Sequence, residues 1–318
     1  MDLKRYIDKF NQVLKSVYSR ANKFSGGALE ILRRVFLRFG QERGPEAAAS
    51  LAYYAFFSIF PMLLVFIVIG SFFVDRSVVE AQLFNLLQGI IPGVEEVIIA
   101  NIESVLELRG TVTFVAIASL AWSATSVFNI LVKNINRAFP HATVPDFIKG
   151  RLMGFVMIFG LGFLVLLSFA ASTLSGLIPV INIPFDGRAL HETVLWQIGS
   201  FLIPVGINLL MFWAMYQWVP RIKVSRKASF FGAMIAGVAW ELLNNVFTWY
   251  INSGLSQYRL VYGSVGTVVA LLFWIYLTAT IALIGAHLTS SIQQALQEKL
   301  REQARQQIEE QAKEQAAG

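Results

Sequence analysis

The chain contains no cysteine. Disulfide staples, thiolate-ligated zinc, iron–sulfur clusters and thiol catalysis are therefore excluded. Histidine is nearly as scarce: His141, His191 and His287 stand isolated. No HExxH pair, no phosphate-cradling GxxxxGK[ST] loop and no GxSxG elbow occurs. These gaps point away from an enzyme and imply neither metal nor cofactor. Charge is also in short supply. Asp, Glu, Lys and Arg make up 14% of the residues, against roughly 25% in ordinary soluble domains. The first 45 residues are polar and basic, without a short apolar core ending in small residues, so no cleavable signal peptide is expected.

What fills the space is apolar: 56% of the 318 residues, including 26 Phe. From Ala47 to Val74 there is no charge at all. Crossing a bilayer takes about 20 apolar residues in a helix. Five similar segments follow, at about Thr111–Val132, Leu152–Ile178, Thr193–Val219, Ala228–Ile251 and Val265–Ser290. Their continuous apolar runs lack the period-2 alternation of a membrane barrel strand. The basic residues divide sharply between alternate connections. Of the 26 Lys and Arg, 22 lie in residues 1–46, 133–151, 220–229 and the C-terminal tail; the other connections hold Arg76, Arg109, Arg188 and Arg259. Positive charge collects on the cytoplasmic side. The expected fold is an all-α integral membrane protein of the bacterial inner membrane, with six transmembrane helices and both termini cytoplasmic. It divides into residues 1–46, a bundle over 47–290 and a polar tail over 291–318.

The flanking parts carry their own patterns. Leu3, Ile7, Phe10, Leu14, Val17, Ala21 and Phe24 recur at helical spacing, with Lys and Arg largely off that stripe. After Gly26-Gly27, Leu29, Leu32, Phe36 and Phe39 repeat the pattern beside Arg33, Arg34 and Arg38. Basic amphipathic helices lie in the headgroup plane and favour anionic lipid. Arg33, Arg34 and Arg38 are thus expected anionic-lipid contacts, with Lys133, Arg137, Lys149, Arg151, Arg221 and Lys223 from the basic loops. Membrane lipid is the expected partner, nucleic acid is not, and a homo-oligomer is compatible with the pattern. The first outer connection, 75–110, reads as two short amphipathic helices split by Pro92-Gly93, a lid or an interfacial cap. The tail from Gln293 reads as a solvated continuation of the sixth span.

Glu241 is the one formal charge inside a span. A carboxylate at that depth costs roughly several kcal/mol unless it is paired or protonated. Asn244, Asn245 and Thr248 follow at i+3, i+4 and i+7 and share or flank its face. Such a stripe is expected to face the bundle interior or a wet cavity. It is either a substrate or proton site, or structural glue between helices. Candidate companions are Asn208 in the fourth span, Tyr53, Tyr54, Ser58 and Pro61 in the first, Ser123, Ser126 and Asn129 in the second, and Tyr262 at the entry to the sixth. Pro61 removes a backbone bond and frees a carbonyl one turn earlier. The hydroxyls of the second span are more often packing contacts than ligands.

The run Ala48-Ala49-Ser50-Leu51-Ala52-Tyr53-Tyr54-Ala55-Phe56-Phe57-Ser58-Ile59-Phe60-Pro61 resembles the first-span signature of the YihY/BrkB virulence-factor family. Tyr262-Gly263-Ser264, Leu272-Phe273-Trp274-Ile275-Tyr276-Leu277 and Leu283-Ile284-Gly285-Ala286 resemble its closing span. Trp240-Glu241-Leu242-Leu243 resembles the fifth, a region that varies across the family, and Asn134–Ala138 also fits. The likeness covers about residues 28–292. It implies a six-span bacterial inner-membrane protein, from a family once labelled ribonuclease BN and associated with serum resistance and with lipid or small-solute export. It carries over no catalytic residues. Three readings follow: a lipid or amphiphile flippase or exporter without its own ATPase, a small-solute or ion channel or carrier, and a non-transporting scaffold for envelope assembly.

Overall fold

Two glycines set the first boundary. Gly26 and Gly27 take φ of 61° and 92°, a region closed to most side chains and open to glycine. Helix α1 (Ala28–Gln41) starts directly after them. The computed structural model describes residues 26–70, 114–143, 148–160, 194–253 and 264–317, apart from 144, 145 and 147, together with residues 20, 22, 77, 146 and 163. The described residues form seven helices and no strand: α1, α2 (Gly44–Gly70), α3 (Phe114–Arg137), α4 over 148–160, α5 (Val194–Trp218), α6 (Arg226–Asn252) and α7 (Ser264–Ala317). The expected outer segment 75–110, the amphipathic stripe before residue 20, the third span beyond 160 and the Tyr262-Gly263 entry lie outside the described residues, Ser77 and Phe163 excepted.

Local chemistry explains the helix ends. Glu30 in the first turn of α1 and Arg38 in its last complement the helix dipole. The α1–α2 corner is tight. The Glu42 N–H donates to the Arg38 carbonyl at 2.8 Å, Arg43 adopts φ 55°, and a Cβ at Gly44 would run into the Phe39 ring. Pro61 lies inside α2, which continues to Gly70. The backbone N–H missing at Pro61 leaves the helix one bond short without ending it.

Helix α7 organises the bundle. It packs against α1, α2 and α6, and more lightly against α3 and α5; α2 also packs on α3, and α5 on α6. With 54 residues it runs roughly 80 Å at 1.5 Å per residue. Its first half is apolar, with Leu271, Trp274, Ile275, Leu283 and Ala286 in the core and Val269 and Phe273 exposed. From Gln297 to Lys313 it is exposed. Small residues let its neighbours approach closely, as membrane helices require where water supplies no hydrophobic drive. A Cβ at Gly285 would meet the Tyr216 hydroxyl and stand 2.9 Å from the Cβ of Ala236; one at Gly232 would strike the Thr289 hydroxyl.

Among the described residues, Arg226–Ile251 of α6 and Val268–Lys313 of α7 are both long and apolar enough to cross a membrane. Helices α2, α3 and α5, with 27, 24 and 25 residues, also exceed the length that a bilayer core demands.

Candidate functional site

The expected substrate residues separate into two groups. One lies where α2, α3 and α4 meet. Buried Ser58 donates to the Ser123 carbonyl at 3.3 Å. Arg151, at the start of α4, donates through Nη1 to the Trp122 carbonyl at 2.9 Å, to Thr125 Oγ1 at 2.7 Å and to Ser126 Oγ at 3.0 Å. Its guanidinium also lies over the Trp122 ring, 4.2 Å from the centroid. Burial lowers its pKa from the usual arginine value, yet four contacts hold the cation. Arg151 thus ties α4 to α3. The hydroxyls of the second span serve that packing. Asn129 is buried beside them, and its Oδ1 has no partner among the described residues. Tyr53 and Tyr54 stand exposed on α2, edge to face at 5.4 Å.

The second group is the stripe of α6. Glu241 is half-buried and Asn245 exposed. The Asn245 Nδ2 donates to the Glu241 backbone carbonyl at 2.8 Å and to its Oε1 at 3.3 Å. Asn244 and Thr248 are half-buried, and the buried Asn244 Oδ1 has no partner among the described residues. Around them Leu242 and Trp249, each 62% exposed, and Val246 form an open apolar face. The stripe therefore runs along the border between the bundle and that open face, rather than wholly inward. Asn208 is half-buried on α5, the helix that packs on α6. Tyr262 lies outside the described residues.

A third polar assembly closes the basic end of the bundle, and the residue spacing gave little sign of it. Asn136 is fully buried. Its Nδ2 donates to the carbonyls of Val132 (2.8 Å) and Val219 (3.2 Å), and its Oδ1 accepts the Arg221 N–H at 2.8 Å. The Gln217 Nε2 donates to the Val224 carbonyl at 3.0 Å, while its Oε1 accepts the Ser229 hydroxyl at 2.5 Å. The Gln293 Oε1 accepts the Ser225 N–H at 2.9 Å. The fully buried Tyr216 hydroxyl donates to the Ala282 carbonyl at 2.8 Å. These bonds tie the α5–α6 turn to α3 and α7.

Beside this assembly opens a cleft of about 570 Å³, reached by Arg38 of α1, the 139–141 turn, Ile222, Lys223 and the α7 residues from Ser290 to Arg301. Arg34 bridges to Glu298 at 3.2 Å and to Glu30 at 3.3 Å. Burial acts against its charge, but the bonds and fields of the two carboxylates prevail and raise its pKa. Arg33 pairs with Glu30 at 3.4 Å, Lys149 with Asp146 at 3.4 Å, and Arg137 donates to Asn134 Oδ1 at 3.4 Å. These cations thus make protein contacts as well as being expected lipid contacts; Lys133 is half-buried, and Lys223 and the Arg221 side chain are exposed. His287 is buried edge-on against Phe39, ring centroids 5.8 Å apart. Among the described residues no three His, Asp or Glu side chains gather as a metal set.

A sequence model of the virulence factor BrkB family matches residues 35–310. The chain is 23% identical to YfkH of Bacillus subtilis, a protein named as ribonuclease-like, over 84% of this chain and 96% of that one. It is 26% identical to a UPF0761 membrane protein of Aeromonas salmonicida, over 84% and 93% of the two chains. A UPF0761 membrane protein of Pseudoalteromonas translucida is 29% identical over 77% and 80%. No solved structure matches significantly.

Proposed function

The chain belongs to the virulence factor BrkB family of membrane proteins, and from that premise we propose that it moves an amphiphile, a lipid, across the bacterial inner membrane without an ATPase of its own. The observation that carries the reading is the half-buried carboxylate of Glu241 beside the open apolar face of Leu242, Val246 and Trp249. A head group needs a polar track, while its tails stay in hydrocarbon. A polar stripe at the edge of a lipid-facing surface offers both at once. A purely structural acid would be expected deeper, ringed by donors; among the described residues its side chain takes one bond, from Asn245. The chain has no ATP-binding loop, so movement is facilitated or coupled to a gradient. The six-span layout with cytoplasmic termini belongs to the same proposal and rests on the bias of basic residues.

The scaffold reading has one observation in its favour. The polar part of α7 is an exposed helix from Gln297 to Lys313, a surface suited to a protein partner. The two readings differ in flux. Purified protein is reconstituted into phosphatidylcholine–phosphatidylglycerol vesicles containing a trace of head-group-labelled lipid, and a membrane-impermeant reductant is added outside. Protein that moves lipid bleaches the inner-leaflet label as well, at a rate that rises with protein per vesicle. Bleaching that stops at the outer leaflet at every protein density, with and without an imposed proton gradient, removes the transport reading.

A further inference from the structure

The cleft at the basic end of the bundle has the charge and donors of an anion site. Arg38, Lys223 and Arg301 line it, with His141 and the amides of Gln293, Gln294 and Gln297. One carboxylate, Glu298, is also present. Its two oxygens receive Arg34 Nη1 at 3.2 and 3.3 Å, which offsets part of its charge from outside the cleft. Three cations then border one shared space. The Nη1 of Arg38 is buried with no partner among the described residues. A buried donor left unpaired on a cation is costly unless something completes it. The Gln293 amide is oriented as well: its Oε1 is held by the Ser225 N–H, which leaves its NH₂ group to donate.

Acceptor-rich ligands of high negative charge suit this lining. A phosphate monoester carries about −1.5 to −2 charges at neutral pH and three acceptor oxygens. Guanidinium groups match phosphate oxygens with paired, charge-assisted bonds. A volume of about 570 Å³ exceeds the need of a bare ion and lies within the range of small-molecule sites. We propose that this cleft binds a phosphomonoester head, presented either by a membrane lipid or by a soluble phosphorylated solute. The site stands apart from the stripe at Glu241, and its occupancy does not require that the chain transport anything.

Binding is measured without flux, on the full chain. Glycerol 3-phosphate is titrated calorimetrically into detergent-purified protein. In parallel, thermal midpoints are compared in phosphatidylcholine nanodiscs with and without phosphatidic acid. Lys223 and Arg301 are exposed, so K223Q/R301Q should fold normally. It should weaken binding at least about tenfold, the factor that ~1.4 kcal/mol of lost interaction gives. Glu298→Gln should strengthen it. Arg38→Gln should abolish binding without lowering the unliganded midpoint, since the lost Nη1 has no partner among the described residues. Saturation by glycerol 3-phosphate assigns a soluble source, and stabilisation confined to phosphatidic acid nanodiscs assigns a lipid; either supports the site. Absence of both responses, or equal responses in K223Q/R301Q and the unmodified protein, overturns it.

Discussion

Single side chains decide which polar groups are structural and which are open for use. Asn136 is the clearest structural case. It satisfies two carbonyls and one N–H drawn from α3 and the α5–α6 turn. Asn136→Ala leaves the Arg221 N–H without its acceptor inside the protein. Buried groups stripped of a partner cost about 1–3 kcal/mol each. The variant is expected to melt earlier by that amount and to be cut sooner by trypsin after Arg221, checked by a thermal scan and timed digestion. Glu298 is the opposite case. Its bridge to Arg34 is more than a third exposed on both sides, and such pairs contribute about 0–1 kcal/mol. Glu298→Gln should therefore leave the melting temperature nearly unchanged; a large loss would mean the bridge holds α1 to α7. The letters gave Glu241 away, since one charge inside an uncharged run is visible without coordinates. They hid the cleft. Its lining comes from Arg38, 139–141, 222–223 and 290–301, four distant stretches with no shared motif, assembled only when α1 and the two basic turns meet α7.

At the scale of helices, close approach governs the bundle. The α5–α6–α7 contact depends on Gly285 lying under Tyr216 and Gly232 lying under Thr289. Gly285→Ala would gain about 1 kcal/mol in helix propensity, but overpacking costs about 1–3 kcal/mol and the overlap falls on a rigid ring. The net expectation is destabilisation, with loss of the Tyr216–Ala282 hydrogen bond. Tyr216→Phe in the same chain should restore part of the stability by removing the colliding oxygen. Differential scanning of the three variants in one detergent checks this, and an additive double variant would show that the hydroxyl is not the obstacle. Helix existence was legible from run length and charge gaps: α2, α3, α5, α6 and the first half of α7 fall on predicted spans. Helix-to-helix contact was less so. Spacings such as Gly232/Ala236 mark a small-residue face without naming its partner. The position of His287 against Phe39 depends on α1 folding back onto α7, which no local pattern announces.

For the whole molecule, the proposed orientation rests on the distribution of basic residues, and the absence of native cysteine makes it directly testable. Single cysteines replace the exposed residues Ser77, Gln41, Lys227 and Gln311. In intact cells with a permeabilised outer membrane, a membrane-impermeant maleimide is expected to label Ser77→Cys alone; the other three should react only after lysis. Labelling of Gln41→Cys or Gln311→Cys from outside would invert the topology. The most direct test of the transport proposal is the lipid-translocation rate of Glu241→Gln beside the unmodified protein, at equal protein per vesicle and with matched thermal midpoints. A translocation rate that collapses while the fold is retained is the expected result. Undiminished translocation by a well-folded Glu241→Gln chain would contradict the role given to that carboxylate.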